Sequence, residues 1–427
     1  MQCVLYFNDA PNTSSPEGLL KVGGLELVRR QARAVRLAGA TSMVGLSAHA
    51  QTYRDLTQAD RVATQPMSWL TPAKGQVEAL REVSIDQRSV RLVSGQHIAQ
   101  PASLKTLTPN SALANAAGEW VAAQIDPLLL NDPRVAGLDT LDALIARLVE
   151  INAIEALTHH APELVRVTDE ASARAAHGLL FKTLRKPMGR QTDGWTAYFI
   201  NRPISLTCSR LLVHTPITPN MITGFNIGLG IVGGAMIWGG SVWGVILGAL
   251  IMQLVSIMDG IDGELARMKL LMSKQGEWFD SVGDDIIKMS MFVSLGHACS
   301  VIFEQPWFLL MTGIGLLWTI AMTSVWYAEV RRADSGTLLH VQWWWEKGEA
   351  PKKSLWHSFL VGMGYLLKRD TYTLLLVLLV VAGFPALSVS LMFLGINIIF
   401  FATFGQKLLA WWRQRPLIEE PEQVRAS

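Results

Sequence analysis

Cysteine and charge are both scarce in this sequence, and each scarcity closes off a class of protein. The 427 residues include three cysteines, Cys3, Cys208 and Cys299, and no CxxC pair. That excludes a disulfide framework and a cysteine-built zinc site, and reads as reduced thiols in or beside the cytosol. Charged residues make up 17% of the chain, and the formal net charge is only +2. So small a charge, without a Lys/Arg cluster, argues against nucleic acid as a partner. No repeat or low-complexity tract is present. Met1–Tyr6 is apolar but has neither a basic flank nor a small-residue cleavage site. It reads as a buried first strand, not as a secretory leader.

The charges are unevenly spread. Half of the residues are hydrophobic, and long runs after Thr218 carry almost no charge. The chain therefore divides into a soluble domain at 1–181, an interfacial linker at 182–218, a transmembrane domain at 219–415 and a tail at 416–427. Six stretches match the ~20 apolar residues that a spanning helix needs. They lie near Ile222–Trp238, Val242–Met258, Ile286–Phe303, Trp307–Tyr327, Tyr372–Leu387 and Leu391–Trp411. Connections on one side, such as Gly239–Ser241 and Glu304–Pro306, lack Lys and Arg; Arg267, Lys274, Arg331, Arg332, Lys407 and Arg413 lie on the other. The positive-inside rule then places both termini and the charged loops in the cytoplasm of a bacterial or archaeal type of membrane. Trp343–Trp345 beside basic residues reads as an aromatic anchor, and Ser354–Leu367 as an interfacial stretch or the start of the fifth helix.

Acids gather at the cytoplasmic ends of the second and third spans. Asp259 and Asp262 are three apart, and Asp280 and Asp284 four apart, so each pair shares a helix face. Carboxylates at the edge of hydrocarbon are costly unless paired, solvated or bound to cations. An oxygen-rich nest without His or Cys suits Mg²⁺ or Mn²⁺ better than zinc. Gly263, Ala266 and Gly276 leave room for a bulky ligand, and Arg267 offers a guanidinium to phosphate oxygens. A non-catalytic metal transporter or scaffold is the competing class. It would carry acids near the bilayer midplane and on several helices, whereas these cluster at one face beside an arginine. Asp285, next to the motif, reads as helix-end solvation, and His297 as a packed, hydrogen-bonded residue.

The pattern Asp259-x2-Asp262-Gly263-x2-Ala266-Arg267-x8-Gly276-x3-Asp280-x3-Asp284 resembles the signature of the CDP-alcohol phosphotransferases at every fixed position. The resemblance implies a six-helix membrane enzyme that transfers a substituted phosphate from a CDP-linked donor to an alcohol and releases CMP. It implies that Asp259, Asp262 and Asp280 hold two divalent ions, Mg²⁺ or Mn²⁺, with Asp284 as a further ligand and the general base. Asp262, Gly263, Ala266, Arg267, Gly276, Asn220 and Thr223 would hold the cytidine diphosphate. Arg202 and Arg210 are candidates for an acceptor phosphate, and equally for lipid headgroups; Arg369–Asp370 reads as a supporting ion pair. Membrane lipids and a second copy of the chain, joined through the transmembrane helices, are the implied partners.

The first domain reads as α/β with a mostly parallel sheet. Val4–Phe7, Met43–Ser47, Arg91–His97 and Trp120–Ile125 are strand-like; Gly24–Leu37, Leu138–Leu157 and Glu170–Leu184 are helix-like. Leu19-Leu20-Lys21-Val22-Gly23-Gly24 with Val28-Arg29-Arg30 and Leu37-Ala38-Gly39-Ala40 resembles the sugar nucleotidyltransferases. The layout is similar to bifunctional enzymes that make CDP-inositol and then transfer inositol phosphate. The loop after the first strand, Asn8 to Pro16, lacks the glycines and cation of that family; Glu17 replaces a lysine, and Gln96 a metal-binding aspartate. The expectation is a degenerate nucleotidyltransferase domain, with an active cytidylyltransferase as the alternative and Asp9 and His97 as the residues that decide. His159–His160 reads as a solvated face.

Overall fold

The computed structural model describes residues 2–8, 16–60, 67–83, 89–158, 164–185, 194–332 and 369–413. Asp9, His159–His160, Lys186–Pro187, Trp343–Trp345 and Ser354–Leu367 lie outside the described residues, as does the side chain of Arg369. The chain forms two compact units. The first comprises Met1–Arg185 with the short segments Val213–Thr215 and Met268–Leu270; the second takes the remainder.

In the first unit, β1 (Gln2–Tyr6) is buried along its whole length, as the apolar run requires of a strand covered on both faces. It pairs in parallel with β4 (Ser42–Leu46) and β6 (Val90–Ser94), and β4 pairs in parallel with β5 (Met67–Leu70). Beyond β6 the sheet continues through antiparallel β8 (Trp120–Ile125) to β7 (Ser111–Ala114), which takes β9 (Glu155–Thr158) in parallel. The order is β5-β4-β1-β6-β8-β7-β9. A mostly parallel sheet is therefore present. Burial inside it pushes the Cys3 thiol up to about 12, so this cysteine is inert, as its position in a core strand demands.

Two expected helices are trimmed by strands. The segment expected to be helical from Gly24 first forms the small hairpin β2 (Lys21–Val22) and β3 (Leu25–Glu26), and only then α1 (Leu27–Leu37). Gly23 and Gly24 make its turn at φ +62° and +77°, which a side chain would strain. Leu138–Leu157 is likewise not one helix: α5 covers Leu141–Glu150, and Asn152 at φ 55° turns the chain into β9. Helices α2 (Ala50–Gln58), α3 (Gln76–Val83), α4 (Pro101–Lys105) and α6 (Glu170–Leu184) complete the unit, the last opened by an Asp169–Ser172 capping box.

The second unit is helical. A π-helical turn, Ala197–Asn201, runs into α7 (Arg202–Leu212). The apolar helices follow: α8 (Pro219–Trp238), α9 (Val242–Met268), α10 (Lys274–Ile302), α11 (Trp307–Arg332), α12 (Arg369–Val381) and α13 (Pro385–Arg413). Five described helices are long and apolar enough to cross a membrane, against the six expected. The sixth, α12, is described only from Arg369, the first residue described after 332, and ends at Val381 ahead of Gly383 at φ +89° and Pro385. Small residues set the helix packing, as expected where lipid removes the hydrophobic drive between helices. A Cβ on Gly283 of α10 would lie 2.7 Å from Ile227 Cδ1 of α8, and one on Gly230 of α8 would lie 2.8 Å from Ile287 Cγ1 of α10. His297 of α10 is stacked on Trp238 with ring centroids 3.8 Å apart.

Candidate active site

Two helices build the acidic centre. Helix α9 stays regular through Asp259, Asp262 and Arg267, with no proline to break it. Helix α10 is started by Ser273, whose Oγ accepts from Gly276 N at 3.0 Å, and this sets the phase that carries Asp280 and Asp284 inward. Carboxylate oxygens of Asp259, Asp280 and Asp284 all lie within 4.8 Å of one another. Asp262, the most buried of the four at 7% exposure, neighbours Asp259 and Asp280. Its carboxylate accepts from Thr223 Oγ1 and from Gly263 N, both at 2.5 Å.

The entry to α8 meets the same place. Thr218 caps the helix, Pro219 takes its first turn, and Thr223, one turn on, reaches Asp262. A side chain on Gly276 would approach Asn220 Oδ1 at 3.3 Å, which puts these two expected nucleotide contacts together. Gly263 faces the guanidinium of Arg267 one turn away, and Ala266 beside it is partly exposed.

Beneath the acidic motif lies a second polar construction. Glu264 is fully buried, and its carboxylate accepts from Arg202 Nη1 at 2.9 Å, Ser205 Oγ at 2.7 Å and Ser209 Oγ at 2.7 Å. These three donors sit at helical spacing on one face of α7, so Glu264 fastens α7 along α9. Gly260, one turn earlier on α9, allows the contact: a Cβ there would stand 3.0 Å from Arg202 Nη1. Arg202, expected at an acceptor phosphate, is thus held in an ion pair inside the protein, whereas Arg210 is exposed on α7. Nothing in the motif's spacing marks Glu264. The available signal lies in α7, where an arginine and two serines recur at three- and four-residue intervals and so present donors on one helix face. Asp285, expected to be solvated, instead accepts from Tyr327 Oη at 2.8 Å and Lys288 Nζ at 3.3 Å, joining α10 to α11.

In the first unit, the segment singled out by sequence forms a closed network. His97 places Nδ1 3.0 Å from Ser94 Oγ and Nε2 3.3 Å from Glu119 Oε2. Gln96 donates to Glu17 and accepts from Arg166 Nη2 at 3.0 Å, while Arg166 approaches Glu119 at 3.6 Å. Burial holds the His97 imidazole below its ordinary value of 6.5 against the pull of Glu119. Burial acts to raise Glu119, but hydrogen bonds from Asn115 and His97 outweigh it and leave that carboxyl below its ordinary value.

Residues 216–402 match the CDP-alcohol phosphatidyltransferase family. The match covers less than half of the chain. The long apolar helices within it make the chain an integral membrane protein. Among the curated proteins to which the chain is similar are those from Thermococcus kodakarensis, Aquifex aeolicus and Archaeoglobus fulgidus, each described as a bifunctional IPC transferase and DIPP synthase. The first is 36% identical over 135 residues, covering 32% of this chain and 29% of the relative. The second is 33% identical over 30% of this chain and 28% of the relative, and the third 33% over 28% and 23%. The match thus spans under a third of each relative's length. Among solved structures, a Methanothermobacter nucleotidyl transferase is similar at 12% identity with a TM-score of 0.33, over 43% of this chain and 99% of that one. A Mycobacterium tuberculosis protein solved with manganese gives 14% and 0.33, over 42% and 97%.

The donor set fits divalent cations: three carboxylates converge within 4.8 Å of one another with neither His nor Cys among them, and hard cations prefer oxygen donors.

Proposed function

We propose that this chain is a membrane phosphotransferase that moves a substituted phosphate from a CDP-linked donor to an alcohol and releases CMP. The observation that carries this reading is the convergence of Asp259, Asp280 and Asp284 at the ends of two apolar helices. In this reading Asp259, Asp262, Asp280 and Asp284 hold two ions, Mg²⁺ or Mn²⁺. Such ions, when bound, polarise the diphosphate and stabilise charge on the attacking and leaving oxygens. Asp284 accepts the proton of the acceptor hydroxyl as its oxygen attacks the phosphorus that bears the donor's alcohol. The bond from that phosphorus to CMP breaks, and CMP leaves as an anion. Arg267 neutralises diphosphate oxygens, Gly263, Ala266 and Gly276 make room for the nucleotide, and Asn220 and Thr223 line its side.

CDP-diacylglycerol and a CDP-polyol are the two donors in contention, with lipids around the transmembrane helices, a homodimer through them and a cytoplasmic active site as the setting. The first unit is read as a degenerate nucleotidyltransferase, because Gln96 stands where an anionic ligand is needed and its amide is engaged by Glu17 and Arg166. A second reading, in which the first unit makes the CDP-polyol that the second consumes, is favoured by the two activities named for the relatives. The test is CMP release by the purified protein with Mg²⁺, using CDP-diacylglycerol and CDP-inositol against a panel of polyols and polyol phosphates. Release from either donor, lost in Asp284→Asn, is the expected result. Undiminished release by Asp284→Asn would sink the assigned base.

A further inference from the structure

Two short segments far along the chain, Val213–Thr215 and Met268–Leu270, belong to the first unit. The second begins with the last residue of α9, directly after Arg267. A helix leaves its final carbonyls without intrahelical donors, so this end needs partners from elsewhere. Leu271 N donates back to Ala266 O at 2.8 Å, and Leu270 takes φ 50°, the left-handed step that ends a helix. Glycine is the usual residue at such a step. Leucine is kept here by its side chain, which is 1% exposed and belongs to the buried core of the first unit with Leu5, Val28 and Ala32.

The carbonyls left over are met by arginines of α1. Arg33 Nη1 donates to Lys269 O at 2.5 Å, while its Nε and Nη2 each donate to Asp60 at 2.8 Å. Arg30 Nη1 donates to Met268 O at 2.6 Å. Arg30 is 0% exposed, and its Nε and Nη2 have no hydrogen-bond partner among the described residues. Burial, and after it the charge of Arg33, lower this guanidinium only to about 10, so it is a buried cation at neutral pH. Such a charge is costly without a counter-charge, and the negative end of the α9 dipole supplies one. The β2–β3 turn closes over the contact: a Cβ on Gly23 would stand 2.7 Å from Arg30 Nη1 and 3.0 Å from Met268 O. Lys269 Nζ in turn donates to Thr215 O at 2.6 Å, just ahead of Thr218, the cap of α8.

Resting on the phosphotransferase reading above, we propose that Arg30, Arg33 and Leu270 are positioning residues for that reaction, which fix the last turn of α9 and with it the aim of Arg267. The first unit then serves the reaction by holding this helix end. That task needs neither a triphosphate loop nor a metal-binding aspartate, and so survives their loss. A loosened turn misplaces Arg267 and weakens the hold on the donor diphosphate. Helix α10 has its own start at Ser273, so Asp284 keeps its place and turnover at saturating donor holds.

The test uses the full chain in detergent with Mg²⁺. It measures CMP release against the concentration of CDP-diacylglycerol and of CDP-inositol, CDP affinity by calorimetry, and hydrogen exchange at the Leu271 amide. Arg30→Met is expected to raise donor KM and weaken CDP binding about tenfold, as loss of a charge-assisted contact does, and to speed the exchange. Its kcat is expected to stay within about twofold of wild type. Arg30→Lys, which keeps a cation and a donor, is expected to restore donor KM. Should Arg30→Met fail to fold, Leu270→Gly decides: it suits the left-handed step but gives up the core anchor, and the same rise in donor KM is expected. A folded variant with wild-type donor KM and CDP affinity overturns the proposal. So does a fall in kcat and thermal midpoint at unchanged KM, the mark of a merely structural residue. Wild-type protein that neither binds CDP nor releases CMP refutes the phosphotransferase reading. In that event faster exchange in Arg30→Met keeps the held helix end, and unchanged exchange overturns it as well.

Discussion

Replacing Glu264 with alanine removes a carboxylate that is 0% exposed and accepts three hydrogen bonds, one from an arginine whose side chain is only 17% exposed. The substitution leaves Arg202 charged and largely shielded, and strips two buried serine hydroxyls of their acceptor. Removing one partner of a buried pair typically costs about 3–5 kcal/mol, because the other charge stays behind without compensation. Glu264→Ala is therefore expected to lower the midpoint of thermal unfolding by roughly 10 °C, at ~2–4 °C per kcal/mol for a domain of this size. Fluorescence-detected size exclusion after heating steps measures it. The decisive comparison is with Arg202→Met and the Arg202→Met/Glu264→Leu double variant. An apolar replacement of both partners is expected to recover most of the loss, since a buried ion pair is worth little over well-packed hydrophobic groups. A drop below about 2 °C in Glu264→Ala, or a double variant no better than the single, would refute the claim that this clamp holds α7 to α9.

Other expectations follow from the same geometry. Asp280→Asn takes one of three converging carboxylates from the cluster. It is expected to weaken Mg²⁺ activation at least a hundredfold and to cut CMP release accordingly, as a metal titration of activity will show. Thr223→Val deletes the hydroxyl that donates to Asp262; a tenfold weaker CDP affinity with unchanged thermal stability is expected by calorimetry, and no change would remove Thr223 from the site. Gly283→Leu forces a side chain against Ile227 and is expected to cost about 1–3 kcal/mol by overpacking, read as reduced heat resistance. The first unit has a pH dependence of known sign. His97 is held below its ordinary 6.5 when folded, so the unfolded chain binds its proton first. Stability from this group is complete above pH 6.5 and declines as pH falls toward the depressed value, by up to ~1.4 kcal/mol per pH unit. Glu119, also lowered, continues the loss below its ordinary 4.5. His97→Gln is expected to flatten the first part of that profile in denaturant melts from pH 7 to 5.

The parts of this protein legible in sequence are those fixed by one helix at a time. Asp259 with Asp262, and Asp280 with Asp284, follow from period alone, and the helices that carry them are long apolar runs. Features that depend on a partner far along the chain were hidden. Glu264 is indistinguishable from a solvated acid until α7 is laid beside it, some 60 residues away in sequence. The strands at the sheet's edge hid for a related reason. Ser111–Ala114 and Glu155–Thr158 are short, and their alanines and leucines favour a helix locally, but pairing with each other and with β8 overrides that preference. The end of the fifth expected span was misplaced, at Leu387 instead of Val381, because hydropathy ignores where the backbone must turn, which Gly383 decides.

The length of α9 has a consequence for how the reaction meets its surroundings. Its 27 residues extend ~40 Å, about 10 Å more than a ~30 Å hydrocarbon core. With Val242 at the far boundary of that core, the surplus is the stretch from Asp262 onward, which then stands at the level of the lipid phosphates, with Asp259 one turn inside the core's edge. A lipid-anchored donor would present its diphosphate there with its acyl chains still in the membrane. Bilayers of longer-chain lipids would pull the same carboxylates toward hydrocarbon, so acyl-chain length becomes a control on turnover that acts without touching a single side chain.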